Sequence, residues 1–222
     1  MKNWNSITIE EYQLIYGIIN DAKMIDFEKE VKLISIINEI SEAELDAMPI
    51  DKFKDLKPSL DFLHNGKIEG KLQPYMKVDK DKFKISLDAF RLTYGQYVDI
   101  TTFLAGDNAV VENLHLIMAS LALPVKKNWY GKETVLDYGQ VPHDELAKKM
   151  LKSNFANSYH TSVFFLKLIN GLIKATGLYS VRKLMKEGRV TKERMREILK
   201  PLKNGGDGFI MPSLLQGLNE YL

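Results

Sequence analysis

The residues best suited to chemistry are the four histidines, which are scattered and include no pair three or four positions apart: His64, His115, His143 and His160. Zinc-binding helices use that spacing, so we predict no metal site. No Gly-Lys pair precedes Ser or Thr as a phosphate-binding loop requires, and no Gly-x-Ser-x-Gly elbow occurs. We therefore predict a protein that is not an enzyme and binds no cofactor. A Ser-His-Asp triad assembles in space from distant residues, so a hydrolase stays open as a third hypothesis.

Asp79 and Asp81 have the spacing of carboxylates in a calcium loop. An EF-hand loop continues with Asp or Asn and then Gly, where this chain has Phe83 and Lys84. We interpret the segment instead as the turn of a β-hairpin spanning residues 71–86, because short apolar alternations flank it. The tip is predicted either to reach a neighbouring subunit or to be solvated surface, and its residues are Asp79, Lys80, Asp81 and Lys82.

Charge is balanced overall but uneven along the chain, which has 31 basic and 29 acidic residues. Residues 1–64 carry 7 basic and 13 acidic residues, whereas residues 180–203 carry 9 basic and 3 acidic. The basic block suits either phosphate or an acidic protein surface, and Tyr179 alone could stack on bases, so nucleic-acid contact is not expected. We favour head-to-tail self-association into a ring. Its predicted basic contact residues are Arg182, Lys183, Arg189, Arg194 and Arg196.

Helical signatures dominate the rest of the chain. Thr8 with Glu11 and Ser41 with Glu44 form capping-box patterns that open helices. Other helices are predicted over 26–40, 51–63, 93–104, 110–123, 144–152 and 155–176, and residues 129–139 are predicted to be irregular. The predicted fold is mainly α: a compact multi-helix body over 1–177 with one small β-hairpin, then a basic C-terminal helical segment and tail over 178–222.

The most apolar stretch, Val163–Ile173, is too short for a membrane span and contains Lys167. We therefore expect no membrane helix. Glu10 and Glu11 interrupt any apolar signal-peptide region, so we expect the protein to stay where it is made. There is no cysteine, which excludes disulfides and a cysteine nucleophile.

Two segments resemble a known family. The first, Ile34–Phe53, runs from a helix through a capping box and Pro49 into the next helix; the second is Leu92–Asp99, which reads Leu-Thr-Tyr-Gly-Gln-Tyr-Val-Asp. A helix over Leu116–Leu123 and then Phe164-Phe165 follow in the same order. Over roughly residues 5–175 the chain is similar to tail-assembly-chaperone-like and virion structural proteins of tailed bacteriophages, the short-tailed crAss-like group above all. It departs from the pattern at Asn38-Glu39, where Thr-Gly is expected.

The resemblance implies a non-enzymatic virion structural protein, a subunit of a ring in the tail or neck below the portal. Such a subunit would oligomerise with itself and dock onto other tail, neck or portal proteins. It would lie in the virion, and in the host cytoplasm during assembly. The alternative is a tail assembly chaperone, which binds another tail protein and is absent from the mature particle.

Overall fold

The computed structural model describes residues 2–65, 67–88, 91–104, 109–165 and 167. Residues up to Ser162 belong to one compact unit, and a second unit begins at Val163. The predicted domain boundary at residue 177 lies outside the described residues. So do the predicted helices beyond it and the five predicted basic contact residues, Arg182, Lys183, Arg189, Arg194 and Arg196.

The N-terminal part of the first unit is helical: α1 (Ile9–Asn20), α2 (Asp26–Asn38), α3 (Glu42–Asp46) and α4 (Ile50–Leu56). Both predicted capping boxes are confirmed. The Thr8 hydroxyl accepts from the Glu11 amide at 3.2 Å, and the Glu11 carboxylate accepts from the Thr8 amide at 2.9 Å. Ser41 and Glu44 make the same reciprocal pair at the start of α3. Local sequence therefore sets these two helix starts.

Two helix ends differ from the prediction. The continuous helix expected over 51–63 is wrong, because α4 gives way to a 3-10 turn, Lys57–Leu60, before α5 (Asp61–Asn65). Pro58 lies in that turn and has no N–H for the α-helical ladder. α2 ends at Asn38 rather than at residue 40, because Glu39 takes the left-handed conformation with φ 56° and ψ 39°.

The remaining helices are α6 (Tyr94–Phe103), α7 (Ala109–Glu112), α8 (Leu114–Leu121) and α9 (His143–Leu151), and residues 155–165 are also helical. α8 packs against both α6 and α9. Its residues Leu114, Ile117, Met118 and Leu121 are almost completely buried. α8 is therefore the central helix of this half of the unit.

The fold is α-rich, but the expectation of a single β-hairpin is wrong. The predicted hairpin is present as β1 (Tyr75–Val78) and β2 (Asp81–Ile85), and two further strands, β3 (Ala122–Lys127) and β4 (Glu133–Val135), extend it. All neighbours are antiparallel, in the order β1-β2-β3-β4. The sequence prediction placed the start of β3 at a helix end and β4 in an irregular segment.

Pro124 explains why β3 was missed and why β4 is short. Proline is rare in central strands because it has no N–H to donate. Here Pro124 lies opposite Phe83, and its carbonyl accepts from the Leu136 amide at 2.9 Å. Because Pro124 has no N–H, it cannot donate a hydrogen bond to Leu136. The ladder between β3 and β4 therefore ends at that point.

One face of the sheet is buried and the other is open. Met76, Val78, Phe83 and Ile85 alternate along the hairpin and are all buried, whereas Tyr75 and the lysines between them are more exposed. α8 packs against β3. The period of two in the hairpin thus separates a core face from a solvent face rich in lysine.

An aromatic cluster joins the chain's beginning to residue 155. The rings of Tyr12 and Phe155 stack with centroids 3.7 Å apart, and Trp4 lies 5.7 Å from Phe155. All three are at most 2% exposed. Beside them the Phe155 amide donates to the Ile7 carbonyl at 2.8 Å, and the Ile9 amide donates to the Ser153 carbonyl at 3.0 Å. The first helix is therefore fixed to the helix that begins at residue 155.

The irregular segment before β1 is fastened to the same helix. His160 Nε2 lies 2.9 Å from the carbonyl of Ile68, and the Lys71 amide donates to the Asn157 side chain at 3.0 Å. Gly70 lies between these contacts, and a Cβ there would overlap the backbone carbonyl of Ala156. Glycine is thus required by close backbone approach rather than by a turn.

The aromatic cluster yields a paired stability prediction. Phe155→Ala should lower the free energy of unfolding by about 3–5 kcal/mol, because it opens a cavity where Tyr12 stacks. Tyr12→Phe should leave it unchanged or raise it, since the buried Tyr12 hydroxyl has no hydrogen-bond partner among the described residues. Urea unfolding at pH 7 measures both changes. A Tyr12→Phe loss as large as the Phe155→Ala loss would contradict the packing described.

The same tyrosine predicts a pH effect. Burial raises the pKa of Tyr12 above its ordinary value of 10.0, so the folded chain keeps the phenol protonated where the unfolded chain ionises it. This contribution to stability is complete below about pH 10 and falls as pH rises further. Wild type should therefore lose stability more steeply than Tyr12→Phe between neutral and strongly alkaline pH.

Glu39 yields a further stability prediction. A left-handed residue with a Cβ costs about 1–2 kcal/mol relative to right-handed backbone, and glycine does not have this cost. Glu39→Gly should raise the free energy of unfolding by up to about 1 kcal/mol, although it removes an ion pair with Lys2, because Lys2 keeps its second partner, Glu11, at 2.6 Å. Glu39→Ala removes the same ion pair and keeps the Cβ, and it should not stabilise. Equal effects of the two substitutions in thermal unfolding would refute this explanation.

Candidate subunit-contact site

The predicted hairpin tip is tied to α9 inside the chain. Asp79 occupies the turn with φ 52°, and its carboxylate lies 3.4 Å from Lys152 Nζ. Asp81 is closer to Lys149, at 2.7 Å. The hydrogen bond to Asp81 raises the pKa of Lys149. Both acidic residues of the tip therefore have lysine partners within the same chain.

The two lysines of the tip differ from each other. Lys82 lies within β2, where its Nζ is 2.6 Å from the Glu133 carboxylate and 4.5 Å from the centroid of the Tyr75 ring. Lys80 is exposed and makes no ion pair with any described residue. That these two lysines take part in a subunit contact stays a prediction. Of the two, Lys80 is the one without an ion-pair partner among the described residues.

A second hairpin tip joins β3 to β4 and was not foreseen. This aromatic tip, residues 128–132, has a backbone fixed by Asn128. The Asn128 side chain accepts from the Tyr130 amide at 3.1 Å and from the Lys132 amide at 2.8 Å. The Gly131 amide donates to the Asn128 carbonyl at 2.9 Å, and Gly131 takes φ 79°, which glycine adopts without strain. The tip is thus a defined turn.

The aromatic tip presents two large side chains to solvent. Trp129 is 82% exposed and Tyr130 is 73% exposed, and their ring centroids are 3.3 Å apart. Lys126, Lys127 and Lys132 flank them, with no acidic residue between 126 and 132. Tryptophan and tyrosine are enriched among residues that dominate binding energy at protein interfaces. The arrangement is suited to entering an apolar recess with an acidic rim.

Both hairpin tips lie at the same end of the sheet. Each strand is antiparallel to its neighbour, so β1 and β3 run in the same direction. The turns that follow these two strands therefore lie at one end. Lys80 joins the lysines of the aromatic tip there, and this end of the sheet presents aromatic and basic groups together.

A different surface combines apolar and acidic residues. Ile25, Phe27 and Ile50 are each between 61% and 64% exposed. The Phe27 ring lies 6.2 Å from that of Phe53, which follows Ile50 by one helical turn, so the ends of α2 and α4 meet here. Residues 21–30 carry four acidic and two basic residues, and residues 46–55 carry three acidic and two basic. We call this surface the α2–α4 patch.

The arrangement nearest to a catalytic one is a Ser-His pair. Ser120 Oγ lies 3.0 Å from His143 Nε2, and the Tyr138 hydroxyl donates to Asp99 nearby. However, Ser120 is 0% exposed and donates to the Leu116 carbonyl at 3.1 Å. A nucleophile must reach its substrate, so in this conformation the pair acts as a polar contact between α8 and α9.

Burial shifts the pKa values of two groups around this pair. Burial and the hydrogen bond to Asp99 raise the pKa of Tyr138 to about 12. Burial lowers the pKa of His115, and the neighbouring His143 adds to that effect. The Tyr138 phenol and the His115 imidazole are therefore neutral at pH 7.

Three further observations concern the described residues. A cleft of about 340 Å³ lies beside β1, and Lys71, Lys77 and Lys82 are among its lining residues. No group of three or more potential metal ligands occurs among the described residues. Within the part of the chain that the structure describes, no helix has the length and hydropathy needed to span a membrane.

The first hairpin yields a prediction about its attachment to α9. A double-mutant cycle with Asp81→Ala and Lys149→Ala should give a coupling energy of about 0.2–1 kcal/mol that decreases with added salt, because the pair is exposed. Lys148 lies beside it on α9 and makes no ion pair among the described residues, so Lys148→Ala is the matched control and should show no coupling. Equal coupling for Lys148 and Lys149 in urea unfolding would disprove the attachment.

Comparisons of this chain with protein-family models, curated proteins and solved structures find no match to any of them. Its function is therefore inferred from its own residues. Among the described residues, the aromatic tip and the α2–α4 patch each expose large apolar side chains.

Proposed function

We propose that this chain is a non-enzymatic structural subunit that assembles with copies of itself, as a ring component of the tail or neck of a tailed bacteriophage. Its further partners in this proposal are portal or tail proteins above and below the ring. The observation that carries the proposal is the aromatic tip, with Trp129 and Tyr130 exposed on a defined turn. The resemblance of residues 5–175 to virion structural proteins is the reason for proposing a phage tail or neck ring as the assembly.

The aromatic tip supports an assembly role on energetic grounds. Burying a large aromatic side chain contributes about 1.5–3 kcal/mol, and both rings of the tip are mostly exposed in the single chain. A turn whose backbone is already ordered loses little conformational entropy when it binds. The tip is thus suited to gain more from docking than a flexible loop of the same composition would.

The backbone conformation of Glu39 is a second observation that supports the resemblance. The phage pattern places glycine at this position, and here the backbone takes the left-handed conformation that glycine favours. A glycine at this position could adopt the same left-handed backbone. This agreement concerns the helix and capping-box segment that carries the resemblance.

The α2–α4 patch favours the tail assembly chaperone as the second candidate function. A chaperone needs an accessible apolar surface for its client, and Ile25, Phe27 and Ile50 provide one at the meeting of two helices. On that hypothesis the chain remains small in solution and leaves before the particle is complete. The two functions differ in what covers the patch: another copy or a different protein.

Quantitative mass spectrometry of purified particles, beside a lysate of the producing cells, tests the proposed function. We expect the chain in particles at a fixed multiple of the portal subunit that matches a ring. A chain that is abundant in lysate and missing from particles would overturn the proposal in favour of the chaperone. A matched control is a known assembly protein that the particles exclude, which sets the background of carry-over.

A further inference from the structure

We propose that the aromatic tip of one copy docks on the α2–α4 patch of the next copy, which makes the ring contact heterologous. This inference rests on the proposed function, because it names the two surfaces through which the subunits would assemble. The occupant of the patch is therefore a second copy of this chain.

The apolar parts of the two surfaces complement each other. The tip offers two adjacent rings, Trp129 and Tyr130, as projecting groups. The patch offers three aliphatic and aromatic side chains spread over two helices, and Phe27 is backed by the buried Phe53. Projecting aromatic anchors bind where such side chains form a floor that excludes water.

The charges are complementary as well. Residues 126–133 carry three lysines and one acidic residue, Glu133, which lies 3.6 Å from Lys127. Residues 21–30 and 46–57 together carry seven acidic and five basic residues, and Glu30 pairs with Lys57 at 2.7 Å. The segment around the tip thus has a net charge of +2 and the two patch segments together −2. Charge complementarity of this kind orients encounter and disfavours contact between two tips or two patches.

The two surfaces lie on different elements of the fold. β3 packs with β2, β4 and α8, whereas α2 packs with α1, α3 and the 3-10 turn. Both surfaces are exposed in the single chain, so they do not satisfy each other within it. When a single tip docks on a single patch, each pair leaves one of each surface free, and repetition gives a ring when the rotation closes. A two-fold dimer would instead dock both tips at once and stop at two copies.

The test uses two variants of the full chain. The tip variant is Trp129→Ala with Tyr130→Ser, and the patch variant is Phe27→Ser with Ile50→Ser. All four residues are more than 60% exposed, so the variants should fold, which circular dichroism and thermal unfolding check. Tyr94→Ser is the matched control, because Tyr94 on α6 is 82% exposed and belongs to neither surface.

Native mass spectrometry and light scattering then report the assembly state. We expect wild type and Tyr94→Ser to form the same oligomer, and each variant alone to associate at least about tenfold more weakly. A mixture of the two variants should give one-to-one heterodimers that grow no further, because the patch of the tip variant and the tip of the patch variant are still intact. The size of the wild-type oligomer distinguishes a ring from a reciprocal two-fold dimer, which would stop at two copies.

Three results would overturn the inference. The first is that both variants assemble as wild type does, which leaves the ring proposal standing on another contact. The second is that the mixture forms no heterodimer. The third is a monomeric wild type that is nevertheless present in particles at ring stoichiometry, which assigns the surfaces to other virion proteins. Absence from particles, by contrast, defeats the proposed function itself.

Discussion

The contact between the first residues of α1 and the residues around 154 is the constraint on which the unit depends. Two backbone hydrogen bonds join Ile7 and Ile9 to Phe155 and Ser153, across almost the whole described chain. Trp4, Tyr12 and Phe155 cover them with aromatic rings, which keeps water from competing for the bonds. Closing so long a stretch has an entropic cost, and the buried aromatic area offsets it.

The position of the aromatic tip follows from α8 and not from the hairpin alone. α8 runs directly into β3, since Leu121 ends the helix and Ala122 begins the strand. Met118 and Leu121 are fully buried, so the strand starts from a fixed point in the core. The Ser86 amide adds a bond to the Leu121 carbonyl at 3.1 Å. The tip is therefore a surface feature supported by the most buried helix of this half.

The sequence predicts those features of the fold that depend on residues close together in the chain. Thr8, Ser41 and Thr93 start helices where their capping partners lie three residues on, and the first hairpin follows from its alternation. The second hairpin was not predicted because Pro124 is unfavourable in a strand. In the structure β3 pairs on both sides, with β2 and with β4, and Pro124 lies opposite Phe83. The candidate site was missed for a related reason: the exposure of Trp129 is a tertiary property. The one available indication was Asn128 and Gly131 between the β-branched Val125 and Val135.

The distribution of charge along the chain bears on contact between copies in a way that the net charge does not. At net +2 the chain has little overall charge, so copies do not repel each other strongly. At physiological salt the Debye length is about 8 Å, so only charges close to a contact act on it. The lysines beside Trp129 and the acids beside Phe27 satisfy that condition, because they adjoin the exposed side chains themselves. Aromatic burial would then supply the affinity of the contact, and the adjoining charges would decide which surface meets which.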